Sequence, residues 1–124
     1  MQILDGISTS KKMLKALEKR VHELKKKFIH PKLVFFLVGS NPASMAYVGM
    51  KEKTSVGIGI ESVVLRYPET VTQDEIIKKM AELNQDPDVH GMMIQIPLPK
   101  HLSVPLITRA IDPKKDADGF HAYN

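Results

Sequence analysis

Six apolar residues in a row, Leu33-Val34-Phe35-Phe36-Leu37-Val38, end abruptly at Gly39. A strand with one wet face alternates apolar and polar residues. A short unbroken run of β-branched and aromatic residues instead reads as a strand buried on both faces. Such a strand needs cover above and below, which parallel sheets obtain from their crossover helices. The rest of the chain supplies these parts in alternation. Leu14, Leu17, Val21, Leu24 and Phe28 follow a 3-4-3-4 spacing, so a helix is predicted over 10–28, with Ser8, Thr9 and Ser10 as candidate caps. After the strand, Ser40-Asn41-Pro42 offers cap residues and a first-turn proline for a helix over 42–56, stopped by Gly57 and Gly59. A second strand is predicted over 60–66. Thr72-Gln73-Asp74-Glu75 is a capping box for a helix carrying Ile76, Ile77, Met80 and Leu83. Gly91-Met92-Met93-Ile94-Gln95-Ile96 reads as a third strand, stopped by Pro97-Leu98-Pro99. A short helix over 104–110 and a polar loop over 112–124 complete the chain. The order α-β-α-β-α-β-α predicts an α/β domain of three layers, α-β-α, around a mostly parallel sheet.

At 124 residues and 43% hydrophobic composition, one core is possible without staples. With no cysteine, disulfides, thiolate metal sites and a cysteine nucleophile are excluded. No apolar run approaches the ~20 residues of a membrane-spanning helix. Met1-Gln2-Ile3-Leu4-Asp5-Gly6 lacks the basic and apolar regions of a secretory signal, so a cytoplasmic location is expected. The net charge of +4 is uneven. Residues 1–32 carry nine Lys/Arg against three acids, and the remainder nine against eleven. The lysines of the first helix lie mostly off its apolar stripe and read as a solvated face. With three Tyr, four Phe and no Trp, nucleic acid is not an expected partner. The five histidines are scattered, and no metal site is expected.

Ligands of open α/β sheets bind beyond the carboxyl ends of the strands. Three segments fall there: Gly39 to Lys53, Gln95 to Pro99, and Lys114 to Asn124. In the first, Tyr47 and Lys51 stand four apart, on one helix face. A ring able to stack on a flat substrate would then sit beside an amine able to act as acid, base or anchor. The plainer reading is an amphipathic helix with a snorkelling lysine. In the second, the Gln95 amide interrupts an apolar run and must find partners, whether a lysine, a substrate or loop backbone. The prolines after it, Pro97 and Pro99, make a stiff apolar rim. In the third, Asp116 and Asp118 precede a flexible Gly119, suited either to N–H donors of a heterocycle or to an ordinary solvated turn. Asp-x-Asp-Gly also suggests a calcium loop, but the later ligands and terminal Glu are missing. There is no G-x-G-x-x-G and no Walker loop, so binding of NAD(P) or ATP by those devices is not expected of this chain.

Taken together, these segments resemble one family. Val38-Gly39-Ser40-Asn41-Pro42-Ala43-Ser44, Tyr47, Lys51, Lys53 and Val56-Gly57-Ile58 resemble the first block of the bifunctional methylenetetrahydrofolate dehydrogenase/cyclohydrolases of the FolD type. Leu83-Asn84-Gln85-Asp86, Val89-His90-Gly91 and Gln95-Ile96-Pro97-Leu98-Pro99 resemble the second, and Lys115-Asp116-Ala117-Asp118-Gly119-Phe120-His121 the third. Leu4-Asp5-Gly6 fits the family's opening. Ile96 and Ala117 depart conservatively from the usual Leu and Val. The resemblance implies that Lys51 is catalytic, that Tyr47 stacks on the folate, that Gln95 orients Lys51, and that Asp118 binds the pterin. Pro97 and Leu98 complete the implied substrate site.

The resemblance further implies oxidation of 5,10-methylenetetrahydrofolate with NADP, then hydrolysis to 10-formyltetrahydrofolate. Family members bind NADP through a following Rossmann domain and form homodimers mostly through it. Residues 1–124 are accordingly expected to be the N-terminal catalytic domain alone, monomeric and without dehydrogenase activity. Two other readings compete. Tyr47-x-x-x-Lys51 is also the pair of short-chain dehydrogenases, but no Gly-rich nucleotide loop precedes it. A non-catalytic anion-binding or interaction module built on the basic first helix would be indifferent to Lys51.

Overall fold

The computed structural model describes residues 5–124; Leu4, and with it part of the family-like opening, lies outside them. Within these residues, seven elements follow in the expected order: α1 (Gly6–Lys26), β1 (Lys32–Val38), α2 (Pro42–Gly57), β2 (Glu61–Tyr67), α3 (Gln73–Gln85), β3 (Gly91–Ile94) and α4 (Val104–Arg109). The sheet runs β2-β1-β3, and both pairings are parallel, with Val34 opposite Val63 and Met92. The continuous apolar run is thus the central strand. Its alternate residues serve opposite faces, as the twofold period of a strand requires. Val34, Phe36 and Val38 pack with Met92 and Ile94 under Ile76 and Met80 of α3 and Ile107 of α4. Phe35, Leu37 and Met93 pack under Val48 of α2. The domain is therefore a three-layer α-β-α structure. Strand β2, at an edge, is only partly buried, whereas the short β3 is buried throughout.

The outer side of β3 is not left bare. Met92 forms an isolated parallel bridge with Asp116, and the Ala117 N–H donates to Met92 O at 3.0 Å. This covers an edge that would otherwise invite intermolecular pairing. Gly91 permits the close approach: a Cβ there would stand 2.6 Å from Leu33 Cδ2 and 3.5 Å from Ala117 Cβ.

Several boundaries move. Helix α1 begins at Gly6, capped by Asp5, whose Oδ1 accepts the Ser8 N–H at 3.0 Å, rather than by Ser8, Thr9 or Ser10. That contact holds the Asp5 carboxyl below its ordinary range, and a carboxylate is also favoured at the positive end of a helix. The helix stops at Lys26, so Phe28 is not part of its stripe. Phe28 adopts φ 60° and is 89% exposed. It occupies the left-handed position of a Schellman turn, with Ile29 N–H donating to Leu24 O and Phe28 N–H to Lys25 O. Of the α1 stripe, Val21 alone is buried, while Leu17 is exposed. Strand β3 ends at Ile94, not Ile96, although Gln95 N–H still donates to Phe36 O at 2.9 Å. The final loop contains a 3-10 turn, Pro113–Lys115. Thr72 and Glu75 form the capping box expected of them.

Candidate active site

The strands β1 and β3 end side by side, and the segments that leave them carry the candidate groups. Gly39 turns the chain out of β1 at φ 77°, a backbone conformation L side chains rarely adopt, and its N–H donates to Tyr67 O. Asn41 then caps α2, its Oδ1 accepting the Ser44 N–H at 3.0 Å, with Pro42 in the first turn. Two turns further on, α2 presents Tyr47 and Lys51 on one face. Val48 anchors that helix in the sheet, fully buried.

Lys51 Nζ lies 3.3 Å from Gln95 Oε1, 3.6 Å from Met93 Sδ and 4.0 Å from Asp118 Oδ1. Its side chain is 36% exposed and that of Asp118 26%, so the amine is held at the protein surface, not sealed within it. Gln95 has both ends in use: its Oε1 faces the lysine, and its Nε2 donates to Ile96 O at 2.8 Å. That second contact fixes which end of the amide points at Lys51. The alternatives open to the Gln95 amide in the sequence thus resolve to two partners together, a lysine and loop backbone. Tyr47 is 56% exposed, its ring offered to solvent. Pro97 and Leu98 line a hollow of about 340 Å³ with Gly39, Ser40, Asn41 and Glu69. The Ile96–Pro97 peptide is cis.

Three residues take parts here that sequence reading did not separate out. Met93 was legible only as strand core. Its place on the α2 face of β3 puts the thioether against Lys51. Asn84 clamps the end of α4, its Nδ2 donating to Ala110 O at 2.8 Å and its Oδ1 accepting the Asp112 N–H at 2.9 Å. Asp116 separates in function from Asp118. Its Oδ1 accepts the Gly119 N–H at 3.1 Å, and its Oδ2 accepts the His121 N–H at 2.9 Å and Asn124 Nδ2 at 3.2 Å. Burial pushes the Asp116 carboxyl up, but these donors outweigh it and leave the group below its ordinary value. A polar residue on the last turn of an apolar-faced helix, and two acids two apart before a glycine, were the available signals.

The lysines of α1, among them Lys11, Lys15 and Lys19, are exposed. Among the described residues, no three His, Asp or Glu side chains are grouped to hold a metal ion, and no helix is long and apolar enough to cross a membrane.

Chemically, the arrangement combines an amine with three dispersed contacts, an amide of fixed direction, a carboxylate and an aromatic face. It can move a proton at a bound substrate and orient a flat, N–H-rich heterocycle.

Comparison with known proteins gives a consistent result. A family described as "Tetrahydrofolate dehydrogenase/cyclohydrolase, catalytic domain" matches residues 4–118. The bifunctional protein FolD of Nautilia profundicola is 48% identical over 124 residues, all of this chain and 44% of its own length. That of Ligilactobacillus salivarius is 49% identical over 122 residues, 98% of this chain and 43% of its own. The crystal structure of the FolD methylenetetrahydrofolate dehydrogenase/cyclohydrolase of Campylobacter jejuni superposes with a TM-score of 0.97 at 41% identity, covering 99% of this chain and 44% of that one. The Trypanosoma brucei enzyme, solved with NADP cofactor and an inhibitor, gives 0.88 at 28% identity over 94% of this chain and 40% of its own. The chain spans less than half the length of these relatives.

Proposed function

Because the chain belongs to the tetrahydrofolate dehydrogenase/cyclohydrolase family, we propose that residues 1–124 form the N-terminal, folate-binding catalytic domain of a bifunctional enzyme of one-carbon metabolism. The whole enzyme would oxidise 5,10-methylenetetrahydrofolate to the methenyl form and hydrolyse that to 10-formyltetrahydrofolate. The observation that carries this reading is convergence. Lys51 Nζ meets Gln95 Oε1 across 44 residues of chain, and Asp118 arrives from a third segment.

Lys51 is the proton-transfer group of the hydrolytic step. Water adds to the methenyl carbon and gives up a proton to the amine. As the C–O double bond forms, the hydroxyl releases its remaining proton to solvent, the bond from that carbon to N5 breaks, and the ammonium returns a proton to N5. General acid–base catalysis of this kind contributes about 10²–10⁴-fold. Gln95 holds the amine over the reacting carbon, and Tyr47 offers its ring to the flat substrate. Asp118 accepts from the amino and ring N–H groups of the pterin. Pro97 and Leu98 form the apolar rim.

NADP is named for the Trypanosoma brucei relative. The residues of this chain do not fit that group. The turn after β1 lacks the glycine fingerprint, and at the N-terminus of α2, where a diphosphate would sit, the Asn41 side chain already takes the Ser44 N–H and Pro42 has no N–H to offer. No hydride step is therefore attributed to these residues, and the dinucleotide site is assigned to the remaining length typical of the relatives. A cytoplasmic, monomeric state is proposed for this domain by itself.

The test is the loss of 5,10-methenyltetrahydrofolate absorbance with this chain, with Lys51→Met and with buffer. A wild-type rate above both controls is expected. Three equal rates would remove the hydrolytic chemistry from this chain.

A further inference from the structure

We propose that Asp116 is a positioning residue of this site: its carboxylate gathers residues 116–124 around itself and thereby aims Asp118 at Lys51. Among the described residues, the Asp118 carboxylate has no hydrogen bond of its own, and its one ion-pair contact is Lys51 Nζ at 4.0 Å. Its direction must therefore come from its neighbours in the chain. On one side, Ala117 is pinned to β3 by its N–H bond to Met92 O. Before that, Lys115 Nζ donates to Leu83 O at 2.8 Å and Asp86 O at 2.6 Å, tying the segment to the end of α3. On the other side, Gly119 is held by Asp116 Oδ1, at φ 69°. His121 and Asn124 then fold back onto Asp116 Oδ2. Asp118 stands at the apex of this clasp. The two carboxylates divide the labour: one is consumed by the loop, and the other is left free to face a ligand.

A clasp of this kind acts through Asp118, so its loss should not add to the loss of Asp118. Four forms of the chain decide this: wild type, Asp116→Asn, Asp118→Asn and the double variant. The amide in Asp116→Asn is isosteric but confronts N–H donors with its own NH2. Two readouts are taken. The first is the NMR signal of the Lys51 CεH2 group, which senses the neighbouring carboxylate. Asp118→Asn should shift it in the wild-type background and leave it unmoved in the Asp116→Asn background. The second is the Kd for 5,10-methenyltetrahydrofolate, and this arm alone rests on the folate reading. Asp116→Asn should weaken binding about ten-fold, the size of one lost hydrogen-bonded contact, and the double variant should bind no worse than Asp118→Asn. An equal Lys51 shift in both backgrounds, or multiplying losses of affinity, would overturn the proposal and leave Asp116 a merely structural residue. A wild-type chain that fails to bind the probe would count against the folate reading, and the NMR arm would still decide the role of Asp116. Asn124→Ala removes one of the three donors without touching the core. It should produce the same pattern more weakly should Asp116→Asn fail to fold.

Discussion

The two ends of the sheet carry similar groups in different states of satisfaction. At the amino end, about 430 Å³ of open hollow is lined by residues that include Phe28, Lys32, Glu61, Asp88 and His90. Lys32 Nζ is 3.1 Å from Glu61 Oε1, and that hydrogen bond holds its ammonium above the ordinary 10.5. His90 Nδ1 accepts the Lys32 backbone N–H at 3.3 Å. At the carboxyl end, the Lys51 amine is shared among an amide oxygen, a thioether and a carboxylate, none closer than 3.3 Å. A lysine in a close ion pair has its charge already answered. A lysine with long, dispersed contacts keeps its amine available to a substrate. On the proposed reading, strand direction rather than the size of a hollow locates the chemistry: adjacent parallel strands diverge into loops at their carboxyl ends and leave a crevice there.

The largest expected difference between the two ends comes from truncating each lysine. Lys51→Met should cost about 10²–10⁴-fold in hydrolysis of the methenyl substrate. Lys32→Met should leave that rate within about two-fold, since it removes one surface ion pair remote from the site. Equal losses would erase the distinction between the ends. Gln95→Leu should cost less, about ten- to a hundred-fold, because Lys51 keeps its other contacts while losing its nearest acceptor. The effect should appear mainly in kcat. A change confined to KM would recast Gln95 as a binding group.

Smaller effects concern stability. Asp116 has a folded-state pKa below its ordinary value of 3.8. Its stabilisation is therefore complete well above that value and is lost as pH falls through the depressed folded value. Asp116→Asn should remove this part of the acid dependence and cost about 1–2 kcal/mol near neutral pH, read by denaturant unfolding. An unchanged acid limb would show that the clasp is not formed in solution. At the opposite end, Phe28→Gly should stabilise the chain by up to about 1 kcal/mol. It relieves a left-handed, exposed phenylalanine, against the extra freedom glycine gains when unfolded. A higher melting temperature with unaltered activity would confirm that the strain at that end serves no reaction.

Local rules settled much of this protein. The unbroken run from Leu33 to Val38 had to be a central strand, because only two covered faces can accept it. The Thr72–Glu75 capping box and the Pro42 turn placed two helix starts, since caps satisfy orphan N–H groups within a few residues. The parallel order followed from alternation, and the edge where Tyr47, Lys51, Gln95 and Asp118 gather followed from strand direction. The start of α1 was misplaced because Asp5, Ser8, Thr9 and Ser10 are all competent caps. Where α1 ends was hidden because a phenylalanine fills a position that usually signals itself by glycine. The tertiary structure alone decided which oxygen of which side chain reaches Lys51. The face of β3 to which Met93 points, the direction imposed on the Gln95 amide by Ile96 O, and the split between Asp116 and Asp118 all depend on how the segments leaving the strands meet. Periodicity and composition encode an element and its buried side. They do not encode how two loops, leaving neighbouring strands, fold their last few polar atoms against each other.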